Sequence, residues 1–283
     1  VLGYTIKPII YGSIAAWLTR VPNRLAVVTG RGYAFEGRRS AFGVGNLALW
    51  LYKVSLRCVQ LVFFQNSDDE ALFRERGLVR QSCQSVTVNG SGVRLDEYPV
   101  APLPETASFL IIARLLAAKG IREFVAAARL VRAKRPDVRF RVVGWIDDNP
   151  DSIREEELAE WKEEGIVDFL GRKNDVRPAI SASSVYVLPS YREGTPRTVL
   201  EAMSMGRPVI TTDAPGCREP VVDGDNGFLV SVQSVDELVA AMQKFIDDPS
   251  LVERMGRRSR EIAEDQYDVH KVNKAMLAEM GIK

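Results

Sequence analysis

A chain of 283 residues, 46% of them hydrophobic, is long enough for one large core or two ordinary ones, so two domains is the starting expectation. Its 38 lysines and arginines nearly cancel 37 aspartates and glutamates, which leaves no global field to gather nucleic acid or an anionic membrane, so any basic site has to be local. No run approaches the roughly 20 consecutive apolar residues of a bilayer span, and Cys58, Cys83 and Cys217, odd in number, far apart and in no ligand spacing, suggest neither a disulfide framework nor a zinc site and fit a reducing cytoplasm.

The apolar start, residues 1–18, is broken by Lys7 and Pro8, lacks a basic leader and begins with Val, so it reads as the interior of a longer polypeptide and not as a signal peptide. A helix over 9–19, a strand over 24–29, a helix over 47–57 and a strand over 58–64 follow, the flavour of half a doubly wound domain. The stretch 98–105 carries Pro99, Pro102 and Pro104, is extended, and reads as a linker. From Ser108 short apolar runs alternate with helical periods. They predict strands over 109–113, 140–143, 167–170, 185–188 and 208–212 and helices over 121–134, 153–164, 176–182 and 196–205, which means a parallel sheet covered on both faces. Helices over 235–247, 251–265 and 269–280 close the chain. The expected domains are 1–100, with the last helix (266–283) packing back onto it, and 101–265.

The stretch VLPSYREGTPRTVLEAMSMGRPV, residues 187–209, carries the chemistry. A buried strand ends, a loop follows, and a helix opens with Thr195 as expected N-cap and Pro196 at the first helical position. Free amides around Thr198 and Val199, backed by the positive end of the helix dipole, make a diphosphate seat. Gly194 lets the main chain approach a ligand closely. Glu193 on the loop and Glu201 in the helix bracket this seat. The same spacing at Glu155 and Glu163 falls on a charged helix and reads as solvated surface. In IIARLLAAKG, residues 111–120, Arg114 follows a strand and Lys119 begins a helix, so both can stand over the carboxyl edge of the sheet, where open α/β domains bind ligands. A cation at a helix start is unfavourable unless an anion comes with it.

Taken together, EGTPRTVLE (Glu193 to Glu201), continued by AMSMGRPVITTDAPGCREPVVDGDNGFLV and preceded by ARLLAAKGI, VVGW, DFLGRKNDV, VNGSGV and YTIKP, resembles the retaining glycosyltransferases of family four. The resemblance implies an α/β chain of GT-B architecture, two facing Rossmann-like domains, the amino-terminal one incomplete here. It also implies that Arg114 and Lys119 contact the donor diphosphate and that Glu193 with the amides of Gly194 and Thr195 holds the transferred sugar. Glu201 then binds the ribose, the amides of Thr198 and Val199 bind phosphate, and Leu170, Arg172 and Val176 line the base pocket. Neither cofactor nor metal is expected, because two cations and a helix dipole can stabilise a diphosphate leaving group without one. The family often carries a histidine near the sugar, whereas His270, the single histidine here, reads as an ordinary surface or interdomain residue.

Within that family YTIKPIIYGSIAAW, VVTGRGYAF and the stretch 191–219 resemble bacterial enzymes, N-acetylgalactosaminyltransferases among them, that extend lipid-linked sugars for capsule, O-antigen or protein glycosylation. That implies a UDP-sugar donor, an undecaprenyl-diphosphate-linked saccharide acceptor, and a cytoplasmic protein with peripheral contact to the inner membrane. LALWLYKVSLR, residues 47–57, with Arg38, Arg39, Lys53 and Arg57 around it, reads equally as a basic amphipathic surface and as a buried core helix. Two rivals remain. Gly43, Gly45 and Ala48 fit the G-x-G-x-x-A of dinucleotide-dependent oxidoreductases, but no strand precedes them and no acidic residue follows at the expected distance. A non-catalytic nucleotide-sugar-binding fragment or scaffold is the alternative to an enzyme.

Overall fold

The computed structural model describes residues 1–30 and 44–282, without the side chains of 44–46; Arg38, Arg39, Gly43 and the second half of VVTGRGYAF lie outside the described residues. The chain divides into two compact units, Val1–Ser91 with His270–Lys283, and Gly92–Val269.

In the first unit β1 (Leu2–Tyr4), β2 (Leu25–Val28), β3 (Leu61–Phe64) and β4 (Gln84–Thr87) form a parallel sheet in that order. The helices are α1 (Ile6–Leu18), α2 (Val44–Leu56) and α3 (Ser67–Glu75). Strand side chains alternate between two cores. Ala26, Val28, Val62 and Phe64 pack with Ile9, Tyr52, Leu56 and Phe73, while Val27, Leu61 and Phe63 face the other way with Val88, as expected of parallel strands covered on both faces. Phe73 meets the rings of Phe64 and Tyr52 edge-on at 5.3 and 5.6 Å. The α2 run has one buried and one exposed side. Tyr52, Ser55 and Leu56 are buried, whereas Leu47 (56%) and Trp50 (58%) stand exposed.

The second unit has six parallel strands, β5 (Ser108–Ile112), β6 (Arg139–Val143), β7 (Asp168–Phe169), β8 (Val185–Leu188), β9 (Val209–Thr212) and β10 (Gly227–Val230), in the order β10-β9-β8-β5-β6-β7. They are interleaved with α4 (Ile121–Lys134), α5 (Glu155–Glu164), α6 (Arg177–Ser181) and α7 (Arg197–Ser204), then α8 (Val235–Asp247) and α9 (Ser250–Gln266). Packing of α4 on α8 and of α7 on α9 closes the core. Phe140 stacks on Phe109 at 5.3 Å and meets Phe124 edge-on at 5.8 Å. Each such ring, wholly removed from water, contributes roughly 1.5–3 kcal/mol.

The order places a topological switch between β5 and β8: the chain runs outward through β6 and β7, then returns to the other side of β5 for β8, β9 and β10. Ligand crevices of open α/β sheets lie at such points.

The proline-rich stretch 98–105 is extended, but it is stitched into the second unit and no unit boundary falls at 100/101. The division falls between Ser91 and Gly92, because Val93 exchanges backbone hydrogen bonds with Tyr267 (2.7 Å) and Val269 (3.1 Å). The last helix, α10 (Val269–Glu279), starts at that junction. Met276 on it, and Met280 just beyond, pack with Val27, Leu61 and Phe63. Exposed His270 lies at its start. Among the described residues no helix is long and apolar enough to cross a membrane.

Candidate active site

Three loops meet at the switch point, those following β5, β8 and β9, and two glycines let them touch. Gly120 has φ 70°, and a Cβ there would stand 2.2 Å from the Pro189 carbonyl oxygen. Gly216 has φ 81°, and its Cβ would stand 2.0 Å from the Glu193 carbonyl oxygen. Only glycine combines this backbone with such an approach. Two backbone bonds complete the contact, Tyr191 N–H to Ala118 O at 2.9 Å and Glu193 N–H to Pro215 O at 3.0 Å. We expect Gly120→Ala to destabilise the protein by about 2 kcal/mol or more, because it adds both left-handed strain and an overlap with backbone. A thermal midpoint within one degree of wild type would show that the loops part at little cost.

The result of this docking is that the Lys119 ammonium reaches the Glu193 carboxylate. Their side chains are 21% and 13% exposed. Lys119 does not begin a helix; it ends a single 3-10 turn, Ala117–Lys119, ahead of α4, with Gly120 as the α4 N-cap. The anion that a cation at this place requires is supplied within the chain. Arg114 stands apart from this pair and binds Asp147 at 2.7 Å, and its guanidinium holds the Asp147 carboxyl below the usual carboxylate range. Cys217 is fully buried nearby, and burial pushes its thiol up to about 12, so it has no nucleophilic character at neutral pH.

The opening of α7 differs from expectation in two respects. Pro196, extended at φ −73° and ψ 110°, is itself the N-cap, no side chain caps the helix, and Arg197 rather than Pro196 is the first helical residue. Thr195 therefore is not the cap; proline supplies the break because it has no N–H to satisfy. The Val199 amide is not free either, since it donates to Pro196 O at 3.1 Å in a tightened first turn. Among the described residues none accepts from the amides of Arg197 or Thr198, so two donors remain at the positive end of the helix. The Tyr186 phenol donates its one hydrogen to Ile112 O at 3.2 Å, and its oxygen shares a 2.6 Å hydrogen bond with the Thr198 hydroxyl. Tyr186 thereby ties β5, β8 and α7 together.

Glu201, one turn further along α7, is 6% exposed. Burial raises its pKa in spite of the neighbouring Tyr98 hydroxyl and Arg197, the latter 3.1 Å away. At the other end of the crevice, beyond β6 and β7, the Arg172 guanidinium lies 4.7 Å from the centroid of the Trp145 ring, a cation–π contact. The two flank a cavity of about 240 Å³ that also involves Leu115, Gly144 and Phe169. The Leu170 amide prolongs the ladder by donating to Val142 O at 2.8 Å. Val176 is half-buried at the N-cap of α6. Gly194 and Thr195, both half-buried, complete the loop after Glu193.

The structure thus brings Lys119 and Glu193 together and sets Glu201 and Arg172 elsewhere along the same sheet edge. It adds Tyr98, Trp145, Asp147 and Tyr186, which reading the residues in order had missed. Trp145 and Asp147 had a signal, since they directly follow the strand end at VVG. Tyr186 had none, because a tyrosine within an apolar strand reads as core.

Residues 100–262 match the family model described as glycosyl transferases group 1, and the chain belongs to that family. It is 26% identical over 277 residues to the N,N'-diacetylbacillosaminyl-diphospho-undecaprenol alpha-1,3-N-acetylgalactosaminyltransferase of Campylobacter jejuni, covering 91% of this chain and 70% of that protein. It is 28% identical over 263 residues to the UDP-Gal:alpha-D-GlcNAc-diphosphoundecaprenol alpha-1,3-galactosyltransferase of Escherichia coli, covering 88% and 66%. For eight of the curated relatives it matches, the chain spans 35% to 71% of their length. Among solved structures it superposes on Anabaena HepE in complex with UDP and glucose with a TM-score of 0.81 at 22% identity, covering 99% of this chain and 77% of that one. The fold is accordingly that of the GT-B glycosyltransferases, with all-parallel sheets in two Rossmann-like units.

Proposed function

We propose that this glycosyltransferase takes a hexose or N-acetylhexosamine from a UDP-sugar and transfers it, with retention of the anomeric configuration and without a metal ion, to a lipid-linked saccharide. The observation that carries this reading is the meeting of Lys119 and Glu193 across the switch point, beside the two uncommitted amides of α7. A diphosphate seated on the Arg197 and Thr198 amides receives the positive end of the helix. Lys119 and Arg114 neutralise the charge that grows on it as the sugar departs, the task a divalent cation performs at other sites. Glu193, with Gly194 and Thr195, faces the sugar. Glu201 accepts from the ribose hydroxyls, and its burial excludes competing water.

The base goes to the Trp145 and Arg172 cavity, next to Leu170 and Val176, because an indole and a guanidinium are flat groups against which a heteroaromatic ring can stack. Relatives named for undecaprenyl-diphosphate-linked substrates support the acceptor class. For membrane contact the support is charge: the first unit carries 14 lysines and arginines against six acidic residues, the second 24 against 31. Exposed Tyr11, Trp17 and Trp50 belong to that basic unit, a combination suited to the headgroup layer of an anionic leaflet.

The test is calorimetric titration with UDP in the presence of EDTA, alongside transfer from radiolabelled UDP-sugars. Arg114→Ala is expected to weaken UDP about 10- to 100-fold, the worth of a charge-assisted contact. Unchanged affinity in that variant rules out its diphosphate role. A requirement for a divalent ion overturns the metal-free mechanism, and UDP binding with no transfer to any lipid-linked acceptor makes the chain a nucleotide-sugar-binding scaffold.

A further inference from the structure

Arg114 follows β5 on a loop, and its side chain is 46% exposed. A guanidinium in that setting samples many rotamers, and holding it in one of them costs entropy. Among the described residues it has a single partner: Nη1 donates to Asp147 Oδ2 at 2.7 Å. The other N–H bonds of its fork are left for a ligand. Asp147 is itself fixed. Its second oxygen, Oδ1, accepts from the Asn149 amide at 3.0 Å and lies 3.1 Å from Ser152 Oγ, whose hydrogen can also go to Asp147 O at 2.9 Å. The two carboxylate oxygens thus have separate tasks, one closing the turn after β6 and the other holding the arginine.

That turn is laced to the loop carrying Arg114 and Lys119. Leu115 N–H donates to Trp145 O at 3.0 Å, Ile153 N–H to Leu115 O at 2.8 Å, and Ala117 N–H to Asp151 O at 2.9 Å. The Ala118 amide donates to Asp151 Oδ2, also at 2.9 Å. Asp147 and Arg114 therefore stand on two loops that cannot slide past one another without breaking these bonds. An exposed ion pair contributes little to stability, so so much bracing beneath this one points to a task other than holding the fold.

We propose that Asp147 is a positioning residue: it clamps one corner of the Arg114 guanidinium so that the free edge of the fork is presented to the donor diphosphate. The proposal rests on Arg114 being a diphosphate ligand. Its physical content is preorganisation, since a cation already held in place loses less entropy when the anion arrives. Two rival explanations exist. In one, Asp147 only closes the turn after β6; in the other, its charge competes with the diphosphate for Arg114.

Asp147→Asn tells the three apart. Its carbonyl oxygen still accepts from the Asn149 amide and closes the turn, while its amide group turns donors toward the donors of Arg114. Calorimetric titration of the full chain with UDP is expected to show binding about fivefold weaker than wild type, the upper end of what an exposed ion pair contributes. In an Arg114→Ala background the same substitution should have little further effect, because the two residues act as one unit. Wild-type affinity in Asp147→Asn overturns the proposal and leaves Asp147 a turn residue. Tighter binding overturns it as well, by showing that the carboxylate competes with the ligand. Equal losses with and without Arg114 overturn it too, since Asp147 then acts through the loop and not through the arginine. Unchanged UDP affinity in Arg114→Ala alone overturns the diphosphate role itself, and the proposal with it.

Discussion

Glu193→Gln is expected to lower sugar transfer by about 10³-fold or more, beyond what removal of a single stabilising group costs at other sites, while UDP affinity changes little. The asymmetry follows from the ion pair. In the resting chain the Glu193 carboxylate neutralises Lys119, with side chains 13% and 21% exposed. Glutamine keeps the shape of that side chain and can still accept a hydrogen bond from the ammonium, so the loop, held by Pro215 and by the close approach of Gly216, has no reason to move. The charge changes. Lys119 loses its internal counterion, which favours an anionic diphosphate if anything, whereas the sugar loses the carboxylate that stabilises positive charge at its anomeric centre as the bond to phosphate breaks. Single-turnover transfer and calorimetric UDP titration on the same preparation check both halves. Wild-type transfer rates remove Glu193 from the mechanism. A loss of UDP affinity beyond tenfold shows instead that the substitution disturbed the loop, and the rate then says nothing about chemistry.

The sequence displayed this region because its local signals agree with one another. An apolar strand over 185–188, a glycine, then a proline ahead of an apolar-faced helix can form one kind of strand–loop–helix turn, and the structure has it, with the cap displaced by one residue. Elements without such agreement went unread. In β10 the strand begins at Gly227, whose Cβ would stand 1.8 Å from Val209 O; the glycine that allows close strand pairing made the run look like a turn after Asn226. Helix α3 has Phe73 as its one large buried apolar side chain, so its periodicity is faint. It is held by the Asn66 side chain accepting from the Asp69 amide at 2.8 Å and by acidic residues in its first turn. The pairing of Lys119 with Glu193 joins residues 74 apart in sequence, a contact that only the strand order β8-β5 creates. Prolines disguised residues 98–105 as a plain linker, because the side chains that fasten this strap, Ser204, Arg207 and Arg260, come from α7, the turn after it and α9.

That fastening supports the largest expected effect on stability, in Arg207→Ala. Arg207 is 1% exposed, and its guanidinium donates to the carbonyls of Ile180, Ala101, Met205, Pro102 and Ser181 at 2.7 to 3.2 Å. Five donors thus meet five acceptors drawn from α6, the turn after α7 and the strap. Burial pulls its pKa down to about 10, still well above neutrality, so the group remains charged and all its N–H bonds remain donors. Alanine would strand those carbonyls and leave a void where the side chain lay. A cost of about 4 kcal/mol or more is expected, since bonds to charged groups contribute roughly 1.5–3 kcal/mol each and do not sum. Against a typical stability of about 5–15 kcal/mol this is a large share. Lysine, a point charge with three donors, can serve only part of the set and should fall between alanine and wild type. Urea unfolding of the three proteins measures the order. If Arg207→Ala unfolds within 1 kcal/mol of wild type, water or a shifted backbone can satisfy the five carbonyls, and the strap does not depend on the arginine.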